Sequence, residues 1–141
     1  CMEIKGDQSG TELFEFMSDN TTTEWGQIKT GEEDCGINYV SSRGSKSFQE
    51  NGKKWGSNNL VLSEKISNLS DVREINHSHP SGGNPSSADI DFSKYWDGMI
   101  GKNVNYNVYI PSYQRLSPKS YTYMPFTHRI KDYWLDLLLK E

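Results

Sequence analysis

Apolar residues recur at every second position in several short stretches of the chain, a pattern typical of β-strands. The clearest stretch is 104–110, where Val, Tyr, Val and Ile occupy alternate positions. Shorter runs rich in β-branched and aromatic residues predict further strands at 11–17, 25–29, 37–40, 72–75 and 120–124. The polar segments 1–10 and 41–58 predict a lead-in and an exposed loop.

Helical spacing of apolar residues is present in two other segments. In 127–140 they recur at i, i+3, i+4, i+7 and i+8, which predicts a helix. A second helix is predicted after the loop at 80–86, with Ser86 or Ser87 as its N-cap. Asp89 and Asp91 then lie in its first turn, where carboxylates suit the positive end of the helix dipole.

Length and composition predict one domain over residues 1–141. Only 33% of the residues are hydrophobic, but 12% are aromatic, and large rings bury enough area to form a core. Together with the predicted elements, this indicates an α/β (α+β) fold in which helices flank a mixed sheet.

Charge and hydropathy exclude several classes of protein. The net charge is −4 and the basic residues form no stripe, which argues against nucleic acid as a partner. The chain contains no apolar run near the roughly 20 residues that span a bilayer, so no membrane span is predicted.

Two cysteines are too few for a disulfide framework. A bridge between Cys1 and Cys35 and two free thiols are both open. Because Cys1 precedes Met2, we expect that the domain was cut from the C-terminal part of a larger protein. The alternative is a processed end, such as a lipid-modified Cys1 that anchors a lipoprotein.

The strongest chemical signal is the tetrapeptide that begins at His77 and continues through His79 to Pro80. Side chains at i and i+2 of a strand point to the same side, so both imidazoles can reach one point in space. Zinc accepts imidazole nitrogen, and a catalytic zinc site uses three protein ligands. Asp89 is the candidate for the third ligand, because the Gly-rich loop before it can fold back.

A pair of histidines alone is a weak signal, and the alternative is that both are ordinary structural residues. Other metal-dependent classes fit less well. An amidohydrolase barrel needs more His ligands and a longer chain, and a nucleobase deaminase needs paired Cys ligands. His128 remains as the third histidine, at a predicted helix start, and is interpreted as a surface or capping residue.

The segment 74–90 resembles the JAMM metalloprotease motif, in which H-x-H is followed by a serine and, three residues later, an aspartate. The resemblance implies that His77, His79 and Asp89 bind Zn²⁺ and that Ser86 stabilises the substrate oxyanion. Six residues separate His79 from Ser86, where the motif has seven. Choosing Ser87 restores seven but places Ile90 at the aspartate position, which leaves Asp91 as the fallback ligand.

The same resemblance implies a catalytic glutamate on an early strand. Glu12 lies in the predicted strand 11–17 and is the chosen base, which would take a proton from water and pass it to the leaving nitrogen. Glu15, on the opposite face of that strand, is the second choice. Glu24 is the third.

Residues 10–115 are also similar to the JAB-like toxin domains found at the C-termini of bacterial polymorphic toxins, notably in the Bacteroidetes. The shared features include 12–16, 22–25, the His-Ser-His-Pro segment and 107–112. This resemblance implies a secreted or delivered effector that acts on a protein or peptide, with a cognate immunity protein as partner. The alternative is a metal-free, non-catalytic binding module of the same fold.

Overall fold

A central mixed sheet with one helix on each face organises the protein. The computed structural model describes residues 1–42, 48–50, 53–55, 66, 68–115 and 122–128. Along the chain, the elements of these residues are β1 (Met2–Lys5), α1 (Asp7–Asp19), β2 (Trp25–Thr30), β3 (Ile37–Ser42), β4 (Phe48–Glu50), β5 (Lys53–Trp55), β6 (Val72–Ser78), α2 (Ser87–Ile100), β7 (Asn105–Tyr109) and β8 (Tyr123–Phe126). Single 3₁₀ turns span Leu69–Asp71 and Ser112–Gln114.

Six of the strands form one sheet in the order β1-β3-β2-β6-β7-β8. The pair β6 and β7 is parallel, and every other neighbouring pair is antiparallel. A parallel pair needs a crossover connection, and α2 supplies it. The strands β4 and β5 form a separate two-stranded hairpin.

The two helices pack on opposite faces of the sheet. Under α1, the fully buried Phe14 packs in one cluster with Trp25, Val40 and Tyr109. Under α2, Trp96 packs in a second cluster that includes Ile28, Ile75 and Tyr106. The central strand β2 contributes to both clusters, because Trp25 and Ile28 point to opposite faces. The predicted fold class, a mixed sheet flanked by helices, is therefore confirmed.

The predicted strand at 11–17 is wrong, because these residues belong to α1. The buried residues of α1 are Gly10, Phe14 and Ser18, spaced by four, which is the period of one helix face. Local β-propensity was outweighed by this packing. The predicted lead-in at 1–10 is also wrong, because it contains β1 and the start of α1.

Most other predicted elements are confirmed. Strands occur at 25–30, 37–42, 72–78 and 105–109, and the helix after the Gly-rich loop begins at Ser87. The predicted loop 41–58 contains the end of β3 and the hairpin β4–β5, and β8 lies slightly later than the predicted strand 120–124. The predicted helix 127–140 lies outside the described residues from 129 onward. Among the described helices, none is both long and apolar enough to cross a membrane.

Candidate metal centre

Strand β6 positions the first histidine on the face of the sheet covered by α2. His77 follows Ile75 by two residues, so both side chains point to the same face. Only 6% of His77 is exposed, and its ring lies edge-on to Phe126 with 5.7 Å between centroids. His79 follows β6 directly and is tied to the neighbouring strand, because its backbone N–H donates to Tyr109 O at 3.0 Å.

The first turn of α2 positions the carboxylate. Ser86 is the N-cap, and its Oγ accepts a hydrogen bond from the Asp89 backbone N–H at 3.1 Å. In return, the Ser86 backbone N–H donates to Asp89 Oδ2 at 2.8 Å, which completes a capping box. The Asp89 side chain is therefore held in one orientation by the residues that begin the helix.

The three side chains converge on one point. His77 Nε2 lies 3.0 Å from Asp89 Oδ1, and His79 Nε2 lies 3.2 Å from Asp89 Oδ2. The two histidine Nε2 atoms are 3.1 Å apart. Among the described residues, this is the group of His, Cys, Asp and Glu side chains whose ligand atoms are close enough to hold one metal ion.

Electrostatics favour the charged form of the aspartate. Burial raises the pKa of Asp89, but hydrogen bonds with His77 and His79 outweigh that effect and hold its pKa well below the usual range. Burial lowers the pKa of His79, but the hydrogen bond and the charge of Asp89 outweigh it and raise the pKa above its ordinary value. The carboxylate is therefore ionised and available as an oxygen ligand.

Two glycines allow the loop between His79 and Ser86 to fold back. Gly82 and Gly83 have φ of 74° and 96°, a region that other residues rarely adopt. The Gly82 backbone N–H donates to His79 O at 2.9 Å, and Gly83 O lies 3.4 Å from His79 Nδ1. A carbonyl beside Nδ1 favours the tautomer that leaves the Nε2 lone pair free for a metal.

Of the candidate glutamates, Glu24 is the one that adjoins β2, the strand paired with the histidine-bearing strand β6. The charge of Glu24 acts on His79 and raises its pKa. Glu24 directly precedes β2, and the next backbone N–H, that of Trp25, donates to Ser78 Oγ at 2.8 Å. This pairing places Glu24 at the end of β2 where β6 ends, beside His79.

The other two glutamates lie on α1, which covers the opposite face of the sheet from His77. Glu12 is exposed and accepts from the Gln8 side-chain amide at 3.4 Å. Glu15 accepts from the Tyr123 hydroxyl at 3.1 Å. The choice of Glu12 rested on a strand that does not exist. No pattern in the sequence reveals that β2 pairs with β6, so the sequence alone left Glu24 third.

The remaining predicted candidates lie apart from this group. Asp91 is exposed on α2. Cys1 and Cys35 are both free and exposed, so the bridge between them is not formed. His128 pairs with the buried Asp97 at 2.7 Å, at the far end of α2 from Asp89.

An open cleft lies between the end of α1 and the turn after β7. Its lining consists of the five residues that precede Glu24 and one residue from the turn after β7, namely Asp19, Asn20, Thr21, Thr22, Thr23 and Tyr113. Its lining does not include the His77, His79 and Asp89 group.

Comparisons with known proteins agree with the geometry. A search of curated proteins found no match to this chain. The family model of JAB-like toxin 1 matches residues 2–98, which is more than half of the chain. The matched range contains Glu24, His77, His79, Ser86 and Asp89. The chain belongs to the JAB-like toxin 1 family.

Proposed function

We propose that this domain is a zinc-dependent hydrolase of peptide or isopeptide bonds and the effector of a bacterial toxin. The observation that carries the proposal is the convergence of His77, His79 and Asp89 on one point at the end of β6. Two neutral imidazoles and one carboxylate form a ligand set that suits zinc and leaves room for water.

The spacing of the ligand atoms supports zinc. Ligands about 2.0–2.1 Å from a tetrahedral zinc ion lie about 3.3 Å from each other. The two histidine Nε2 atoms are 3.1 Å apart, and each lies 3.0–3.2 Å from one of the two Asp89 carboxylate oxygens. A small contraction of this kind is expected where histidine and aspartate attract each other directly. Zinc at this point would act as a Lewis acid that activates water and polarises the scissile carbonyl.

We assign the role of general base to Glu24 in place of Glu12. Glu24 lies on the same end of the sheet as His79, whereas Glu12 lies on a helix behind the sheet. Glu24 takes a proton from the attacking water as the new C–O bond forms. It then gives that proton to the amine nitrogen as the C–N bond breaks, so the carboxylate is regenerated.

Ser86 is suited to bind the carbonyl oxygen of the substrate. Its Oγ accepts the Asp89 N–H, which fixes the oxygen and leaves the hydroxyl proton available as a donor. Donation to the developing oxyanion stabilises the transition state more than the ground state. Ser86 therefore combines a structural role, as the N-cap of α2, with a catalytic one.

Membership of the family supports a biological setting for the proposed reaction. As a JAB-like toxin, the domain would be delivered by the producing bacterium and would cleave a protein or peptide of the recipient cell. A producer of such a hydrolase needs protection from it, and a cognate immunity protein that covers the metal centre would provide this.

Two matched variants test the assignment. Zinc content is measured by mass spectrometry on protein purified without chelator, and hydrolysis is measured on a panel of peptides and Lys-linked isopeptides. Glu24→Gln should retain zinc and lose about 10²–10⁴-fold in rate, whereas Glu12→Gln should match the wild type. Loss of activity in Glu12→Gln alone would restore Glu12 as the base. Absence of zinc from the wild type would overturn the hydrolase and favour the binding module.

A further inference from the structure

We propose that the turn Ser112–Gln114 is a brace that sets the position of the base relative to the metal ligands, with Tyr113 and Gln114 as positioning residues. The inference rests on the proposed function, because it concerns the same site. The turn lies beyond residues 2–98, the part of the chain that the family model matches.

One side of the turn holds the segment that carries the base. The Tyr113 hydroxyl donates to Thr21 O at 2.8 Å, three residues before Glu24. The backbone N–H of Ser112 donates to Asp19 Oδ1, also at 2.8 Å. These two bonds fix both the beginning and the middle of the connection between α1 and β2.

The other side of the turn holds the loop that follows the metal ligand. The Gln114 side-chain amide donates to Pro80 O at 2.7 Å, and Pro80 is the residue directly after His79. Gly82 packs against the same side chain, because a Cβ at Gly82 would lie 3.5 Å from Gln114 Oε1. Three consecutive residues therefore contact both loops that flank the metal centre.

The brace is itself anchored in the fold. The Gln114 backbone N–H closes the turn onto Pro111 O at 2.9 Å. Asp19 also accepts from the Tyr109 hydroxyl at 2.8 Å, and Arg115 donates to that same hydroxyl at 2.9 Å. A movement of either loop would therefore have to break bonds to a turn that is held by β7.

The position of Asp19 supports a role beyond folding. It is the last residue of α1, where the negative end of the helix dipole disfavours a carboxylate. At this position its carboxylate accepts hydrogen bonds from the Ser112 backbone N–H and the Tyr109 hydroxyl, and so holds the turn. A helix end that had only to be stable would favour a cation there.

Removal of a brace should change the position of the groups it holds, whereas removal of an ordinary surface contact should not. Tyr113 is 45% exposed and Gln114 is also exposed, so removing one hydrogen bond from either should have little effect on global stability. A displacement of about 1 Å near a catalytic group, in contrast, can change a rate on the order of 100-fold. Local position and metal affinity are therefore the informative measurements, and melting temperature is the control.

The experiment uses Gln114→Met and Tyr113→Phe, which keep size and remove one donor each. The matched control is Tyr123→Phe, which removes the hydroxyl that donates to Glu15 on the other face of the sheet. Zinc affinity is measured by chelator competition, and hydrogen exchange is followed in the metal-free protein at the Gly82 amide and at amides 22–25.

Gln114→Met should weaken zinc binding by about tenfold and accelerate exchange at Gly82, as expected when the support of a ligand is removed. Tyr113→Phe should keep zinc affinity within about twofold, because the base is not a ligand, and should accelerate exchange at 22–25. Tyr123→Phe should change neither.

Wild-type zinc affinity and unchanged exchange in both brace variants would overturn the proposal. Equal losses in all three variants, with matching drops in melting temperature, would also overturn it, because the effect would then be general. If the wild type bound no zinc, the proposed function would fail, and the exchange measurements would still decide whether the turn holds both loops.

Discussion

The two faces of the sheet carry buried polar side chains that are arranged in opposite ways. Under α1, four amides on neighbouring strands donate to one another in one direction: Asn107 to Asn76, Asn76 to Gln27 and Gln27 to Asn38. Asn38 then donates to the Asp7 carboxylate at 2.9 Å, which is paired with Arg73. Each acceptor in this ladder faces a donor.

Beside the start of α2, on the other face, three polar side chains converge on one point and do not form a ladder. Two imidazole nitrogens and two carboxylate oxygens point at one another, all within 4.8 Å when one atom is taken from each residue. Each histidine Nε2 can either donate a hydrogen bond to the Asp89 carboxylate or present its lone pair to a metal ion, whereas an amide has a fixed donor and a fixed acceptor. Burial of polar groups is therefore common to both faces, but among the described residues the convergent imidazole and carboxylate groups form the candidate metal site.

The largest expected effect is a difference in zinc binding between variants of two adjacent residues of β6. His77→Ala removes a ligand and should weaken zinc binding by more than about 100-fold. Asn76→Ala should keep zinc but reduce the free energy of unfolding by about 1–3 kcal/mol. The reason is that Gln27 Oε1 loses its donor from Asn76 and Asn107 Nδ2 loses its acceptor on Asn76. Zinc content and urea unfolding of both variants measure the contrast. Equal zinc loss in Asn76→Ala would break the comparison.

Substitution of alanine for one glycine on each helix should change the stability of the protein in opposite directions. A Cβ at Gly10 of α1 would lie 2.5 Å from the Asn38 side chain, which is held in the amide ladder. Gly10→Ala should therefore cost about 1–3 kcal/mol of stability. Gly98 of α2 has no atom within 4 Å of such a Cβ, so Gly98→Ala should gain up to about 1 kcal/mol. Thermal unfolding provides the measurement, and a shift of the same sign in both would contradict the packing of α1.

The capping box should couple stability to metal affinity on the α2 face. Ser86→Ala removes the acceptor for the Asp89 N–H and should cost about 1 kcal/mol of stability. Because that bond also orients a ligand, zinc affinity should fall by up to about tenfold. Ser87→Ala, one residue later and exposed, is the control and should leave both quantities unchanged in unfolding and chelator-competition experiments.

The smallest effect should appear as a pH dependence on the α1 face. Burial raises the pKa of Asp7, but hydrogen bonds from Arg73 and Asn38 outweigh it and hold the pKa below its usual value. A lowered pKa in the folded state adds stability that is complete above pH 4 and is lost as the pH falls through the folded pKa. At pH 7 the free energy of unfolding of the wild type should therefore be roughly 1 kcal/mol higher than that of Asp7→Asn.

That difference should narrow below pH 4, as urea unfolding at several pH values can measure. A difference that stays constant down to pH 2 would mean that Asp7 stabilises the protein through packing and not through its charge.

The parts of the candidate metal site that lie close together in the sequence were predicted correctly. The strand before His77, the fold-back loop and the helix that carries Asp89 all follow from local patterns, because 13 residues contain the whole ligand set. The prediction of Asp89 over Asp91 depended on the Pro-Ser-x-x-Asp-Ile pattern at 85–90, and Asp89 is the aspartate that lies with the two histidines. The strand predicted at 11–17 failed because its helical stripe is short and includes Gly10 and Ser18, which do not look apolar.

Local sequence was enough to identify the candidate metal ligands, since His77, His79 and Asp89 lie within one β-loop-α unit. The proposed glutamate base and the proposed brace, in contrast, depend on contacts that only the folded chain makes. The pairing of β2 with β6 brings the segment of Glu24 to the sheet end where His79 lies, and the parallel pairing of β7 with β6 brings Gln114 to Pro80. Such pairings join residues more than 30 positions apart, and they are set by how the whole sheet buries its two faces and not by any local pattern.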